Sequence, residues 1–436
     1  MKHTFSIAWK FWLIAIWLCT QAWAEPTQIF FSFTAGAAGG LGRIEVDADS
    51  GVVLTQEIVY ASPAAREGGK VAQTREGWAV LAVNAKAPGN LVIRNPTGLV
   101  STLTISDKLD EIRVRASRAI VGGEEGGVYL IDLAEGRVLR DWQLKSALNP
   151  PGRRPEDVRF DPNGRLAWVT LQKDSKDGKR LGHRLVALDL ETGEVAADLR
   201  LPRDRSELHF GRDGDLRQSG PGPEVVLLFP RSNTLLVTLD LYGAVGLMDL
   251  EAARNGEFSR WTTIPTSLDG SWGTAFPDRA VGVDIGGRDH ALVLNAGPEG
   301  GAVLIDLTAR KVAQVIPVGH GLYSPEPIPA LGAIAAAAGG KLKRRGEDDV
   351  EKSFAPRPEV AIFEIREEAS ELNLRLIALD QPTHTLRAVA PQRNGLLLVN
   401  VGLGADQWIV IDAVDGQIRS RQSAPGRVVR LAPSPE

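Results

Sequence analysis

Eight times along this chain an apolar, β-rich run reaches an acidic or amide residue, crosses a short turn and returns as a second apolar run. The clearest copies are Val128-Tyr-Leu-Ile-Asp132 with Gly136, Leu185-Val-Ala-Leu-Asp189 with Gly193, Trp408-Ile-Val-Ile-Asp412 with Gly416, and Arg43-Ile-Glu-Val-Asp47 with Gly51. Each places a glycine four residues after the Asp, where positive φ closes a hairpin while the carboxylate accepts bonds from the turn amides. Copies without that glycine end at Asn95, Asp249, Asp306 and Glu364. Successive turns are 48, 37, 57, 60, 57, 58 and 48 residues apart. A second hairpin precedes most of them, around Asp161-Pro-Asn-Gly164, Asn233, His290 and Asn394-Gly395. The unit is therefore four strands, and four-stranded units repeated at roughly 40 to 60 residues are the mark of propeller blades set around a channel.

A parallel α/β fold needs a long amphipathic helix between strands, and the sequence has none. The reading is thus all-β: a β-propeller of four-stranded antiparallel blades, eight rather than seven. The first two repeats and the one before Glu364, with its Ala333 to Ala338 run, match least well. The ends also fit one another. Gln28 to Thr34 needs a partner, and Arg427-Val-Val-Arg-Leu431 is a strand left over at the other terminus. Their pairing is expected to close the ring, because an open ring leaves two bare edges.

Lys2 and Lys10 flank the start of an apolar run that ends at Ala22-Trp-Ala24 before Glu25-Pro26. This is the layout of a cleavable secretory signal, and the run is too short for a membrane anchor. Residues 1–24 are expected to be removed, leaving a single domain over 25–436 that is periplasmic or extracellular. Cys19, the one cysteine, lies in the leader, with Leu18 where a lipidation site wants a small residue. A mature chain would have no disulfide and no thiolate chemistry. The net charge of −4 provides no basic field for nucleic acid or anionic lipid.

Val303-Leu-Ile-Asp306, followed by Val315-Ile-Pro317-Val-Gly319, with the Pro-Asn-Gly turn at Pro162 to Gly164, resembles the YVTN-type bacterial β-propeller repeat. The Asp189, Thr192, Gly193 turn is also similar to the repeats of quinoprotein dehydrogenases and of eight-bladed outer-membrane assembly scaffolds. Quinoprotein repeats carry a docking Trp eight residues after the Asp, and here those positions are Arg140, Ala197 and Ser420. Both resemblances imply the propeller architecture far more than an activity. The reading of function is a binding or assembly module acting through its loop faces and funnel, or alternatively an exported propeller enzyme, a hydrolase or lactonase or a quinoprotein-like oxidoreductase.

Function on such a fold sits on the loops around the channel. Three segments depart from the minimal repeat. Arg203 to Arg217 carries His209 with Asp213 and Asp215, an acid/base or metal pair in one reading and a solvated loop of self-pairing charges in the other. Ser267 to Asp278 holds Trp272 and Phe276 between glycines, either to stack on a ligand or partner or to plug the channel. Gly339 to Glu351 switches from a basic to an acidic block and is expected to be a charged mobile loop near 339–358. His183, His290, His320 and His384 are scattered, with no metal-ligand spacing, and no Gly-x-Ser-x-Gly elbow occurs. No catalytic residue, metal or cofactor is assigned. The expectation is a monomeric scaffold that engages an unidentified protein or small ligand through Trp272, Phe276, His209, Asp215 and His320. Clustering of the histidines and Asp215 would instead mark an enzyme.

Overall fold

The structure, a computed structural model, describes residues 25–65, 68–83, 87–144, 154–173, 183–202, 221–273, 275–296, 300–338, 357–402 and 406–435. It holds eight four-stranded antiparallel sheets. Blade 1 runs from its inner strand Arg427–Leu431 through Thr27–Ala35 and Ala38–Val46 to its outer strand Val53–Ser62. The chain ends are therefore zipped together as expected, with Phe31 opposite Leu431 and Thr34 opposite Arg427. Inner strands of blades 2 to 8 are Gly69–Gln73, Leu109–Arg115, Arg154–Phe160, Pro223–Phe229, Arg279–Ile285, Leu322–Ile328 and Thr383–Ala388. Each touches the next around the ring, and Thr383–Ala388 returns to Arg427–Leu431.

Burial explains the pattern of the sequence. The two middle strands of a blade are covered on both faces by neighbouring blades, so they read as unbroken apolar runs, such as Ala79–Val83 and Leu396–Val401, buried throughout. Outer strands alternate instead, as Lys311–Ile316 does, because one face and one edge meet water. The core is accordingly divided into eight wedges, one at every blade junction. Phe31, Phe33, Leu398 and Trp408 fill that between blades 8 and 1, and Trp168, Leu185, Val237 and Tyr242 that between blades 4 and 5. Ala333–Ala338 is a full member of blade 7, all six residues buried. Its small side chains fit the interior between blades and hide its strand character from a propensity reading.

The turns repeat the predicted chemistry. Asp47, Asp132, Asp189, Asp306 and Asp412 each accept backbone amides of the following turn through Oδ1. Gly51 and Gly193 have φ of 73° and 81°. Where glycine is missing after Asp306, Arg310 adopts φ 51°. After Asp249 a one-turn helix, α1 (Leu250–Arg254), replaces the tight turn.

At two of the three positions eight residues after the turn Asp, a docking role is kept without tryptophan. Arg140 donates to the Glu191 carbonyl at 2.7 Å, and Ser420 donates to the Gly51 carbonyl at 2.7 Å. Each thus reaches the turn of the next blade. Trp142, two residues beyond Arg140, donates to the Gly193 carbonyl at 2.7 Å.

Candidate functional site

The two faces of the ring differ in kind. Connections from first to second strand and from third to fourth strand are short turns, apart from α1. Connections from second to third strand, and from one blade to the next, emerge on the opposite face, and these include all the long ones: 144–153, 174–183, 201–222, 266–278 and 339–358. Inner strands begin at that long-connection face and end at the tight-turn face, so their first residues line the mouth of the channel.

Those first residues are charged, and irregular pairing turns them inward. Register shifts fall at Leu109/Glu111, at Arg154/Pro155 and Pro155/Asp157, at Pro223/Val226, at Tyr323/Glu326 and at Thr383/Thr385. A bulge re-aims side chains that strict alternation would send into the wedge. In blade 7 the shift is built on Ser324, a non-glycine residue at φ 55°, and it sets Tyr323 toward the channel.

The result is a connected belt of charge. Lys70 of blade 2 pairs with Glu111 of blade 3. Glu111 lies 3.7 Å from Arg113, and Arg113 Nη2 donates to Asp157 Oδ1 of blade 4 at 2.6 Å. Asp157, 2% exposed, accepts the Val226 amide of blade 5 at 3.2 Å. Glu224 accepts Gln172 Nε2 at 2.8 Å and stands 3.8 Å from Arg279 of blade 6. Nearer the rim, Arg154 pairs with Asp110 and reaches Glu124 at 3.1 Å. Burial works against the Arg154 charge, but Glu156, Asp110 and Glu124 outweigh it and push its pKa up.

At Tyr323 the belt crosses the channel. Arg279 Nη2 donates to the Tyr323 hydroxyl oxygen at 3.1 Å, and its Cζ lies 5.0 Å from the ring centroid. Arg430, on the closing strand of blade 1, sets its own Cζ 5.1 Å from the same centroid. Burial first, then the neighbouring Arg279, pull the Arg430 guanidinium down to about 10, although Glu111, Asp278 and Asp110 act on it at longer range. Arg279 moves the other way, because Asp278 and Glu224 overcome its burial.

Beyond the closing strand the C-terminal segment runs past blade 8 to blade 7. Ala432 donates to the Phe30 carbonyl and its own carbonyl accepts Arg387 Nη1 at 3.0 Å. Ser434 bonds Glu326, whose carboxyl is raised by burial.

Of the residues singled out from sequence, His209 and Asp215 lie outside the described residues, as does the charge-switch segment 339–356. Phe276 is in the interior, 3% exposed, its carbonyl accepting the Ala296 amide. Trp272 is half-buried against the wedge between blades 4 and 5. Both rings therefore pack inward in the connection between blades 5 and 6. His320 is on the long-connection face, with Nε2 2.9 Å from Glu359 and Nδ1 3.0 Å from the Gly321 carbonyl. His290 starts the second strand of blade 6 at the tight-turn face, so it and His320 are at opposite ends of the molecule. Among the described residues no three His, Cys, Asp or Glu side chains gather as a metal site requires. The channel belt itself was not read from the sequence. Its signal was the run of charges opening several inner strands, as in Leu109-Asp-Glu-Ile-Arg113 and Arg154-Pro-Glu-Asp157.

No family model and no curated protein matches this chain. Solved structures do. Dihydro-heme d1 dehydrogenase NirN superposes with a TM-score of 0.64 at 13% identity, covering 93% of this chain and 75% of that one. Apo AztD from Citrobacter koseri gives 0.57 at 11%, covering 93% and 98%. The C-terminal WD40 domain of Sif2 gives 0.56 at 14%, covering 88% and 92%. At such identities the likeness shows the fold: an eight-bladed β-propeller. Among the described residues no helix is long and apolar enough to cross a membrane.

Proposed function

We propose that this protein is an exported binding module of the YVTN-like kind, and that it engages a small ligand or a protein partner at the long-connection mouth of its channel. The observation that carries this reading is the division of labour between the faces. Tight turns, docked blade to blade, hold one face, while the long connections and the charged inner-strand residues converge on the other. A surface that varies on a rigid frame is where binding groups are found on repeat architectures. Trp272 and His320 belong to that face in this reading, and His209 and Asp215, which lie outside the described residues, are proposed to contact the same ligand or partner. The interior place of Phe276 gives it the role of holding that face. Residues 1–24, with their basic start and Ala-Trp-Ala ending, act as the export signal.

The alternative, an exported propeller enzyme, rests on clustering of His209, Asp215, His290 and His320; of these the structure describes His290 and His320, which lie at opposite ends of the molecule. The test is cross-linking of the mature chain in an envelope extract, with the sites of attachment mapped by mass spectrometry. Attachment along 266–278, 317–321 and 379–382 is expected. Attachment concentrated on the tight-turn face, at 47–52, 189–194 or 412–417, would overturn the reading.

A further inference from the structure

We propose that Arg430, Arg279 and Tyr323 together form an oxyanion site, which takes one carboxylate or phosphate group of a small ligand entering the channel. The inference rests on the preceding reading of the mouth and names the chemistry found within it.

Three observations point the same way. First, Lys70, Arg113, Arg154, Arg159 and Arg279 all have a carboxylate at salt-bridge distance. Arg430, among the described residues, has the Tyr323 ring and no ion pair. A guanidinium carries five N–H donors and no acceptor, and a ring face satisfies none of them as an oxygen would.

Second, two guanidiniums sit on one ring, so their Cζ atoms can be no farther apart than the sum of their distances to its centroid. Asp278 at 3.5 Å and Glu224 at 3.8 Å stand beside Arg279, whereas the charge of Arg430, which Arg279 opposes, has no such neighbour among the described residues, so a further anion there relieves the repulsion.

Third, Tyr323 is 7% exposed, and its hydroxyl oxygen accepts Arg279. Its O–H proton has no acceptor among the described residues. The Arg430 fork and the phenolic proton thus have donors to offer, beside an Arg279 whose Nη1 donates to the Asp278 carbonyl and whose Nη2 donates to Tyr323.

An oxyanion is the partner that accepts both. Planar carboxylate and tetrahedral phosphate oxygens both match the Arg fork. Asp278, Glu111 and Asp110, which act on Arg430 from farther away, set the selectivity. Their negative charge opposes a polyanion more strongly than a single carboxylate or phosphate group. The site joins blades 1, 6 and 7, and the strain at Ser324 holds Tyr323 in place for it.

The experiment is isothermal titration of the full mature chain with acetate and, separately, inorganic phosphate, at ionic strength held constant with chloride. Saturable binding of at least one anion is expected, and the stronger arm names the group. Arg430→Gln is expected to weaken it about tenfold or more, the loss for one charge-assisted contact. Tyr323→Phe keeps the ring and removes the hydroxyl, and it is expected to weaken binding several-fold. Should Arg430→Gln fail to fold, Tyr323→Phe and Arg430→Lys decide the matter. Absence of saturable binding by both anions, or equal affinities across the folded variants, would overturn the site. Cross-links to the rim that persist in that case leave the binding-module reading standing, and cross-links that fail while the anion binds do the reverse.

Discussion

Asp161 tests whether the charges outside the channel hold the blades to one another. Its carboxylate is fully buried in the turn between the first two strands of blade 4. Oδ2 accepts Trp168 Nε1 at 2.9 Å and Arg254 Nε at 3.0 Å, and Oδ1 accepts Arg254 Nη2 at 2.6 Å and the Asn163 amide at 3.0 Å. Arg254 belongs to α1 of blade 5, while Arg115 of blade 3 donates to the Asp161 carbonyl at 2.9 Å. Three blades meet at one residue. Asp161→Asn keeps the volume, removes the charge and turns an NH2 group toward donors. Removing one partner of a buried pair costs about 3–5 kcal/mol. Arg254 is 14% exposed and has Glu251 beside it, so the lower end, about 3 kcal/mol, is expected. Urea unfolding followed by tryptophan fluorescence and far-UV circular dichroism measures it, with coincident transitions as the check on cooperativity. Burial pushes the Asp161 carboxyl up, but the Arg254, Asn163 and Trp168 donors overcome it, so its pKa lies below 3.8. A depressed native pKa adds stability above the unfolded value that is lost as pH falls through the native one. The gap between wild type and variant is therefore full above pH 3.8 and closes in stronger acid. A loss under about 1 kcal/mol, the range of an exposed pair, would refute the reasoning.

Further expectations concern closure, packing and export. Ending the chain at Pro425 removes Arg427–Leu431, exposes the edge carrying Phe31 and Phe33, and forfeits the burial of Val428 and Leu431, worth roughly 1.5–3 kcal/mol each. Self-association by light scattering is expected, and a monodisperse monomer with the native spectrum would refute it. In Gly40→Ala the new Cβ would stand 1.8 Å from the Tyr60 carbonyl oxygen and 3.0 Å from Ala61 Cα. Backbone of the outer strand must move, at a cost of about 1–3 kcal/mol in urea unfolding, and an unchanged midpoint would argue against this register. Intact-mass measurement of the chain from an expressing cell is expected to begin at Glu25, and retention of residues 1–24 would remove the export reading.

The fold was legible because its determinants are local. An Asp whose own turn amides satisfy it, as at Asp47 or Asp189, writes the hairpin into five consecutive residues, and five such turns with weaker ones at Asn95, Asp249 and Glu364 write the ring. Closure was legible for a related reason, since an apolar strand left over at each end has one place to go. Where the local signal is replaced by a contact from elsewhere, the reading weakened. Arg310 stands at positive φ where glycine was sought, and its guanidinium reaches back to Asp249 of blade 5 at 2.6 Å. Arg140 and Ser420 dock blades by hydrogen bonds to carbonyls that a search for tryptophan overlooks. The candidate site was the least legible part. Arg279, Tyr323 and Arg430 are far apart in sequence and belong to three blades, so their meeting depends on the ring having closed. The bulges that point Glu111, Asp157 and Tyr323 inward break the period-2 pattern by which strands are read. Phe276 drew attention for the glycines of its segment, yet neighbouring glycines say nothing about which way a ring packs.

The place of Arg430 links occupancy of the channel to the integrity of the ring. It lies on the one strand supplied by the C-terminus, paired to Thr27–Ala35 through four registered residues and a bulge, and this seam is where the ring is closed by the two ends of the chain. An oxyanion held jointly by Arg430, Arg279 and Tyr323 bridges blade 1 to blades 6 and 7, so it binds the closed ring and not the opened one. Anything that binds one state alone stabilises it by RT ln(1 + [L]/Kd), about 2.7 kcal/mol at one hundred times Kd. If opening at the seam is a local event, the gain appears there first. Hydrogen exchange of the amides in Arg427–Leu431, measured with and without a saturating concentration of the bound anion, is expected to slow about a hundredfold by this arithmetic. Amides of Leu185 and Val186, in the middle of blade 4, should change little as long as they exchange by local opening. Equal slowing in both regions would mean that the seam does not open on its own, and no slowing in either would separate the channel from closure altogether.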